Sequence, residues 1–336
     1  VKYFYYAFGL LIEANGLIPG LLLIEYIEKT EVDVHIHLLE HSFTQLPDGN
    51  RVLIYTSENI GLLNRPILQV WAIDDRKLFR FRYDDETEFV IDNQGRHVWA
   101  SWPSTLSIDD TAPFITGPIL GFVLRRRLNV CLHSSAIIVD DQNAFAIVGP
   151  AGSGKSSLAA AFAKKGYYVL ADDITALKST ESGYLVMPSH PHIRLWEPTV
   201  FALFGSSSAL PRIAPNDPYW TKQYLQLGTP EHPFTIQPAH LAAIYLLDKA
   251  VDTTNTTQIT ACSKLEGLLF LTSNTYMNYL LDTAARAHEF DFLTKMIGRI
   301  PLRWFRFPRM LDILMENAES LINDFYRMIR EPDKSA

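Results

Sequence analysis

The chain has 336 residues, 48% hydrophobic and 12% aromatic, enough to bury a sizeable core and long enough for two domains. Its net charge of -7 supplies no basic field, which argues against nucleic acid or an anionic membrane surface as the main partner. Cys131 and Cys262 are too few for a disulfide framework or a thiolate zinc site, and no window approaches the roughly 20 apolar residues of a membrane span.

The opening VKYFYYAFGLLIEANGLIPG carries Glu13 and Asn15 inside its apolar run, with no small-residue cleavage pattern after it. It reads as a strand and turn rather than a signal peptide. In VDVHIHLL, Val32, Val34, Ile36 and Leu38 alternate with Asp33, His35 and His37, the pattern of a half-buried strand. Similar segments follow at RVLIYT, ILQVWAI, KLFRFRY, EFVID and HVWASW, separated by turn sequences such as LPDGN and DNQG. Residues 1–112 are therefore expected to form a β-rich domain, an antiparallel meander with Arg80 and Arg82 as exposed cations on one face. The spacing of His35, His37 and His41 brings a metal to mind, but no carboxylate arrangement accompanies it, and a solvated strand face is the favoured reading.

After Pro113 the rhythm changes. PFITGPILGFVLRRRL reads as helical towards its end, and from CLHSSAIIV onward strands alternate with helices, so residues 113–336 are expected to be an α/β domain. A helical pattern lies near residues 282–297. A C-terminal amphipathic helix carries Met310, Leu311, Leu314, Leu321, Ile322 and Phe325, and the polar tail EPDKSA is expected to fray.

Within this half, GPAGSGKSS runs Gly149, Pro150, Ala151, Gly152, Ser153, Gly154, Lys155, Ser156 and Ser157, satisfying G-x-x-x-x-G-K-[ST]. AFAIVG before it reads as a buried strand. Leu158, Ala161 and Phe162 after it form a helical stripe that ends near Lys164, Lys165 and Gly166. That order suits a nucleotide site: glycines let backbone amides turn around a polyphosphate, Lys155 reaches the β and γ phosphates, and Ser156 can ligate Mg²⁺. ATP and Mg²⁺ are the expected ligands. The signatures of GTPases, eukaryotic-type protein kinases and ABC proteins are missing, the D-x-x-G match at Asp92 to Gly95 lying upstream of the loop.

Asp172 and Asp173 follow the apolar run YYVLA, which places them at the carboxyl end of a strand, where ligands bind in open α/β sheets. One can hold Mg²⁺ while the other takes a proton from a hydroxyl nucleophile. Arg194 and Lys222 are candidates for further cations around a transferring phosphoryl group. Cys131, beside His133, reads as a buried thiol.

The stretch LHSSAIIVDDQNAFAIVGPAGSGKSSLAAAFAKKGYYVLADDITAL, about residues 131 to 178, resembles the catalytic core of bacterial HPr kinase/phosphorylase. The resemblance implies an α/β P-loop kinase domain of the HPr kinase C-terminal type, related to phosphoenolpyruvate carboxykinase, behind the β-rich domain. It matches His133 to the family's active-site histidine, Lys155 and Ser156 to its phosphate-loop pair, and Asp172 and Asp173 to its acidic pair. Asp173 becomes the general base, Asp172 with Ser156 the metal site, and His133 the group that orients or tunes the pair. A bacterial cytoplasmic location and self-association are implied as well.

Two departures stand out: Ser157 replaces a common glutamate, and HIRLWEP keeps Ile193 and Arg194 of a glycine-rich signature loop without its glycines. In the family that loop serves substrate contact and phosphate removal, so the resemblance leaves recognition of HPr and phosphorylase activity open. More loosely, YYAFGLLIEA, WTKQYLQL and PFTIQPAHLAAIYLLDK resemble HPr kinase-like proteins of lasso peptide biosynthesis, which phosphorylate a serine at the precursor's C-terminus. That likeness implies a serine kinase with a peptide substrate, and makes the first domain a candidate for peptide recognition. The alternatives are a small-molecule phosphotransferase and a nucleotide-binding regulatory module.

Overall fold

A computed structural model describes residues 1–25, 31–39, 49–61, 63–140, 142–215, 220–248, 256–308 and 310–330. His41, most of the LPDGN turn and the tail 331–336 lie outside the described residues. The fold is mixed α/β, and the chain divides into two compact units: Val1–Asn129 with Ala214–Tyr219 and Met277–Arg286, and Val130–Ile213 with Trp220–Tyr276 and Ala287–Ala336.

The first unit is built on a sheet that holds, among the described residues, nine strands: β1 Tyr3–Ala7, β2 Leu10–Ala14, β3 Leu22–Ile24, β4 Val34–Leu38, β5 Arg51–Thr56, β6 Leu68–Ile73, β7 Leu78–Tyr83, β8 Glu88–Asp92 and β9 His97–Ser101. Their spatial order is β3-β1-β2-β4-β9-β8-β7-β6-β5. Strands β5 to β9 form the expected antiparallel meander, but β4 runs parallel to both β2 and β9, so the sheet is mixed. Alternation in a sequence fixes which face a side chain takes, not the direction of the neighbouring strand.

Val34 and Ile36 point into the core, while His35 and His37 stack with His97, and His37 and His97 with Trp99, at centroid separations of 5.1 to 5.7 Å. Among the described residues no group of three His, Cys, Asp or Glu is arranged to hold a metal. Arg80 and Arg82 do share a face, but they are not free cations. Both reach Glu88, Arg80 Nη2 at 2.5 Å and Arg82 Nε at 3.3 Å.

Helix α1 Ile108–Phe114, a π-helical turn Ile115–Ile119 and α2 Leu120–Arg126 follow. Pro118, which has no N–H to donate, sits inside the π turn, where the ordinary helical ladder is already broken. Phe122 packs edge-on against Phe79 and Phe81 at 5.1 and 4.9 Å. These aromatic contacts attach the helices to the β-sheet, so the division falls after Asn129 rather than near residue 112.

The second unit contains β10 Val130–Ile138, β11 Asn143–Val148, α3 Lys155–Lys164, β12 Val169–Ala171, β13 Ile174–Thr180, β14 Gly183–Val186, β15 His192–Leu195, α4 Glu197–Phe204, β16 Gln223–Gln226, β17 Ala239–Leu247, β18 Gln258–Ala261 and α5 Lys264–Ser273. The chain continues through α6 Thr283–Ile297, β19 Leu302–Arg306 and α7 Leu314–Arg330. Strands β11, β10, β13, β14 and β17 pair in a closed circuit, with β11 parallel to β17. The expected open sheet is thus replaced by a mixed, closed one, because β10–β11 and β13–β14 are antiparallel hairpins.

Phe145, Ile147 and Tyr245 on one face of the sheet carry α3 and α7, with Phe162 and Phe325 5.5 and 5.7 Å from Phe145. Residues 158 to 163 of α3 are all buried, not only a stripe, and four of them are alanines that permit close approach on every side. In α7, Leu314, Leu321, Ile322 and Phe325 are buried, whereas Met310 and Leu311 precede the helix. Cys131 is fully buried, and among the described residues no helix is long and apolar enough to cross a membrane.

Candidate active site

Strand β11 delivers the chain to Gly149, where a Cβ would lie 2.6 Å from the carbonyl oxygen of Leu247, a position only glycine can occupy. Gly154, at φ 101°, turns the loop left-handed into the start of α3 at Lys155. Lys155 is 5% exposed, and its Nζ donates to the carbonyls of Gly149 at 2.8 Å and Pro150 at 2.9 Å. Burial pulls its pKa from 10.5 down to about 8, against the attraction of Asp173 and Asp172 and with help from the Lys222 charge. Ser153, two residues before it, is buried, its Oγ without a hydrogen-bond partner among the described residues.

Asp172 and Asp173 occupy the break between β12 and β13. The Ile174 N–H donates to the Asp172 carbonyl at 2.9 Å, and Asp173, between them, has φ 68°. This is a γ-turn of the positive-φ kind, rare for a residue with a side chain and worth roughly 1–3 kcal/mol of strain. Asp172 is 2% exposed; its Oδ1 accepts from Ser135 Oγ at 2.6 Å and its Oδ2 from the Arg194 N–H at 3.4 Å.

The neighbouring carboxylates are pushed in opposite directions. Burial raises the pKa of Asp172, opposed by the Ser135 hydrogen bond and reinforced by the charge of Asp173. Burial acts the same way on Asp173, but the bond and charge of His133, with Arg194 and Lys222, together hold it well below the usual carboxylate range. His133 Nε2 lies 3.4 Å from Asp173 Oδ1, its backbone N–H donates to the Asn274 carbonyl, and Tyr276 stands edge-on to its ring. A depressed and a raised carboxylate side by side can divide proton handling from cation binding.

A cavity of about 910 Å³ joins these groups: His133, the loop from Ala151 to Ser157, Asp173, Arg194 and Lys222 all line it. Asp172, Gly149 and Pro150 do not line the cavity; Asp172 is held by Ser135 and the Arg194 N–H, and Gly149 and Pro150 offer the carbonyls that Lys155 reaches. Lys222 rests over the ring of Trp196 at 4.9 Å; burial lowers its pKa while Asp173 pulls it up. Ser157 Oγ is 2.9 Å from Thr199 Oγ1 and so ties the start of α3 to α4.

Sequence reasoning did not single out Ser135, Trp196, Thr199 or the apolar wall of Phe307, Met310, Leu311 and Leu314. Ser135 was within reach, since it shares a strand face with His133 two residues away. The apolar wall lies some 150 residues beyond the loop and has no local signal.

No protein-family model matches the chain, and no curated protein matches it in sequence. Among solved structures it is similar to the Hpr(Ser) kinase/phosphatase from Coxiella burnetii, at 12% identity over 60% of this chain and 98% of that one, with a TM-score of 0.33. An overlap that loose assigns no activity, which leaves function to the chemistry of the side chains.

Proposed function

We propose that this chain is an ATP- and Mg²⁺-dependent kinase of the HPr kinase type, which phosphorylates a serine hydroxyl of a peptide or protein. The observation that supports this best is the meeting of Lys155, Ser156, Asp173, His133, Arg194 and Lys222 at one cavity, although they are scattered from residue 133 to residue 222. Ser156 Oγ and the Asp172 carboxylate are oxygen donors of the kind a hard cation takes, and they would hold Mg²⁺, Asp172 through water. When bound, the metal neutralises charge on the β and γ phosphates.

The chain's own residues supply the rest. The loop amides and Lys155 position the polyphosphate, and Arg194 and Lys222 add positive charge at the acceptor end. Asp173 accepts the hydrogen bond of the serine hydroxyl and takes its proton as the bond from Oγ to the γ phosphorus forms and the bond to ADP breaks. Its low proton affinity suits a loose transition state in which the proton moves late. His133 keeps Asp173 ionised and fixes its orientation.

The finer reading takes the substrate as the C-terminal serine of a lasso peptide precursor, met in the bacterial cytoplasm by a self-associating enzyme whose first unit reads the peptide. That reading rests on the sequence resemblance. The test is to incubate the full chain with Mg²⁺, ATP and synthetic peptides ending in serine, then to locate phosphate by mass spectrometry. Phosphoserine supports the proposal. ATP binding without transfer to any hydroxyl favours the regulatory module, and transfer confined to small alcohols favours the small-molecule phosphotransferase.

A further inference from the structure

The cavity at the phosphate loop has two walls of different chemistry. Besides the charged groups it is lined by Phe307, Met310, Leu311, Leu314 and Pro198. Phe307 stacks on the fully buried Phe305, centroids 4.8 Å apart and planes 28° off parallel, so its ring is held from behind. Its Cζ lies 3.5 Å from the position a Cβ would take on Gly154, which sets the ring against the residue where the loop enters α3. Leu314 is buried, whereas Met310 is 52% exposed at the rim. An aromatic ring backed by a second ring, with a thioether on the same cavity, is a surface made for a flat π-system.

We infer that this wall is the subsite for the base of a nucleoside triphosphate, and that it selects purines by stacking area rather than by reading the base edge. The inference rests on the phosphate-loop reading above. Phosphates held by the loop and by Ser156 and Ser157 leave the nucleoside inside the same cavity, against the wall that Phe307 and Met310 form. None of the side chains of Phe307, Met310, Leu311, Leu314 or Pro198 carries a hydrogen-bonding group. Among the described residues on that cavity, Thr199 is engaged with Ser157 and the Trp196 ring lies under Lys222. A wall that covers the base without reading its edge discriminates weakly between bases of equal size, so ATP and GTP are expected to bind within about tenfold of each other. A pyrimidine nucleotide, with less ring to cover, binds more weakly than either.

Inorganic tripolyphosphate, which has no base, separates this subsite from the loop. The experiment is calorimetric titration of the full chain and of Phe307→Ala with the Mg²⁺ complexes of ATP, GTP, UTP and tripolyphosphate. The expected result is that Phe307→Ala weakens ATP and GTP by roughly 5- to 100-fold, the usual effect of removing a stacking aromatic, and leaves tripolyphosphate within about twofold. Met310→Ala changes an exposed side chain that the core does not need, and is expected to move ATP in the same direction by a smaller factor. Equal loss of ATP and tripolyphosphate in both variants, or unchanged ATP affinity in both, overturns the subsite. Failure of tripolyphosphate to bind the wild-type chain at all, or its undiminished binding to Lys155→Ala, overturns the phosphate-loop reading instead, and the subsite with it.

Discussion

Lys155 holds a charge that the empty fold would be more stable without. Its pKa falls from 10.5 to about 8 on burial, which corresponds to about 3 kcal/mol of folding free energy at about 1.4 kcal/mol per tenfold change in proton affinity. Lys155→Met keeps the length of the side chain and removes that penalty. It also takes a donor from the Gly149 and Pro150 carbonyls, which offsets about 1–2 kcal/mol. The variant without nucleotide should therefore be more stable at pH 7 by about 1–2 kcal/mol, or roughly 2–6 °C in melting temperature.

The sign of the pH dependence is fixed. A lysine that binds its proton more tightly unfolded than folded imposes its full penalty below about pH 8, and loses it as the pH rises from 8 to 10.5. The gap between variant and wild type should be widest at pH 7, shrink as the pH rises above 8, and reverse in sign before about pH 10.5, where only the lost hydrogen bonds remain. Calorimetric melts of both chains across that range measure it, and the wild type alone should gain stability from Mg²⁺ and ATP. A variant that melts at or below the wild type at pH 7, or a gap unchanged by pH, would refute the reasoning.

Asp173→Asn should leave nucleotide affinity within a few-fold while slowing phosphoryl transfer by roughly 10²–10⁴, as read in single-turnover experiments with a phosphorylated peptide product. Asp172→Asn should instead alter the Mg²⁺ requirement. Because Mg²⁺ takes the ionised carboxylate and burial raises the pKa of Asp172, wild-type Mg²⁺ affinity should weaken as the pH falls through that raised value, a dependence the variant should flatten in metal titrations. A chain beginning at residue 113 should aggregate on size-exclusion chromatography, since it carries Phe114 and Phe122 without the sheet residues Tyr83, Phe79 and Phe81 that cover them.

The parts of the site legible in the sequence are those written locally. Gly149, Gly154 and Lys155 carry their spacing in one short stretch, and a buried strand and a helix flank them as their composition requires. His133 lies on β10, which pairs with both β12 and β13, and the aspartate pair sits in the break between those two strands, so pairing brings the three together. What the sequence concealed depends on distant partners. The direction of β4 is decided by β2 and β9, and the boundary after Asn129 by aromatic packing of α2 on β7. Met310 and Leu311 look like one more turn of the last helix because their spacing continues its apolar face, yet the chain enters that helix only at Leu314.

Backbone torsion, more than side-chain rotamer, aims the Asp173 carboxylate. At φ 68° glycine and asparagine are comfortable, alanine is strained, and valine or isoleucine more so. A library of all substitutions at this position would thus yield two unlike rankings: folded yield would follow torsional preference, with glycine and asparagine high, while phosphoryl transfer would demand the carboxylate. Asparagine and glycine are each a single base change away from the aspartate codon. On the proposed function, the easiest mutational exits from this residue therefore lead to chains that fold, keep their nucleotide and transfer little or nothing, so a lineage built on this turn would have a short path to pseudokinases with intact architecture.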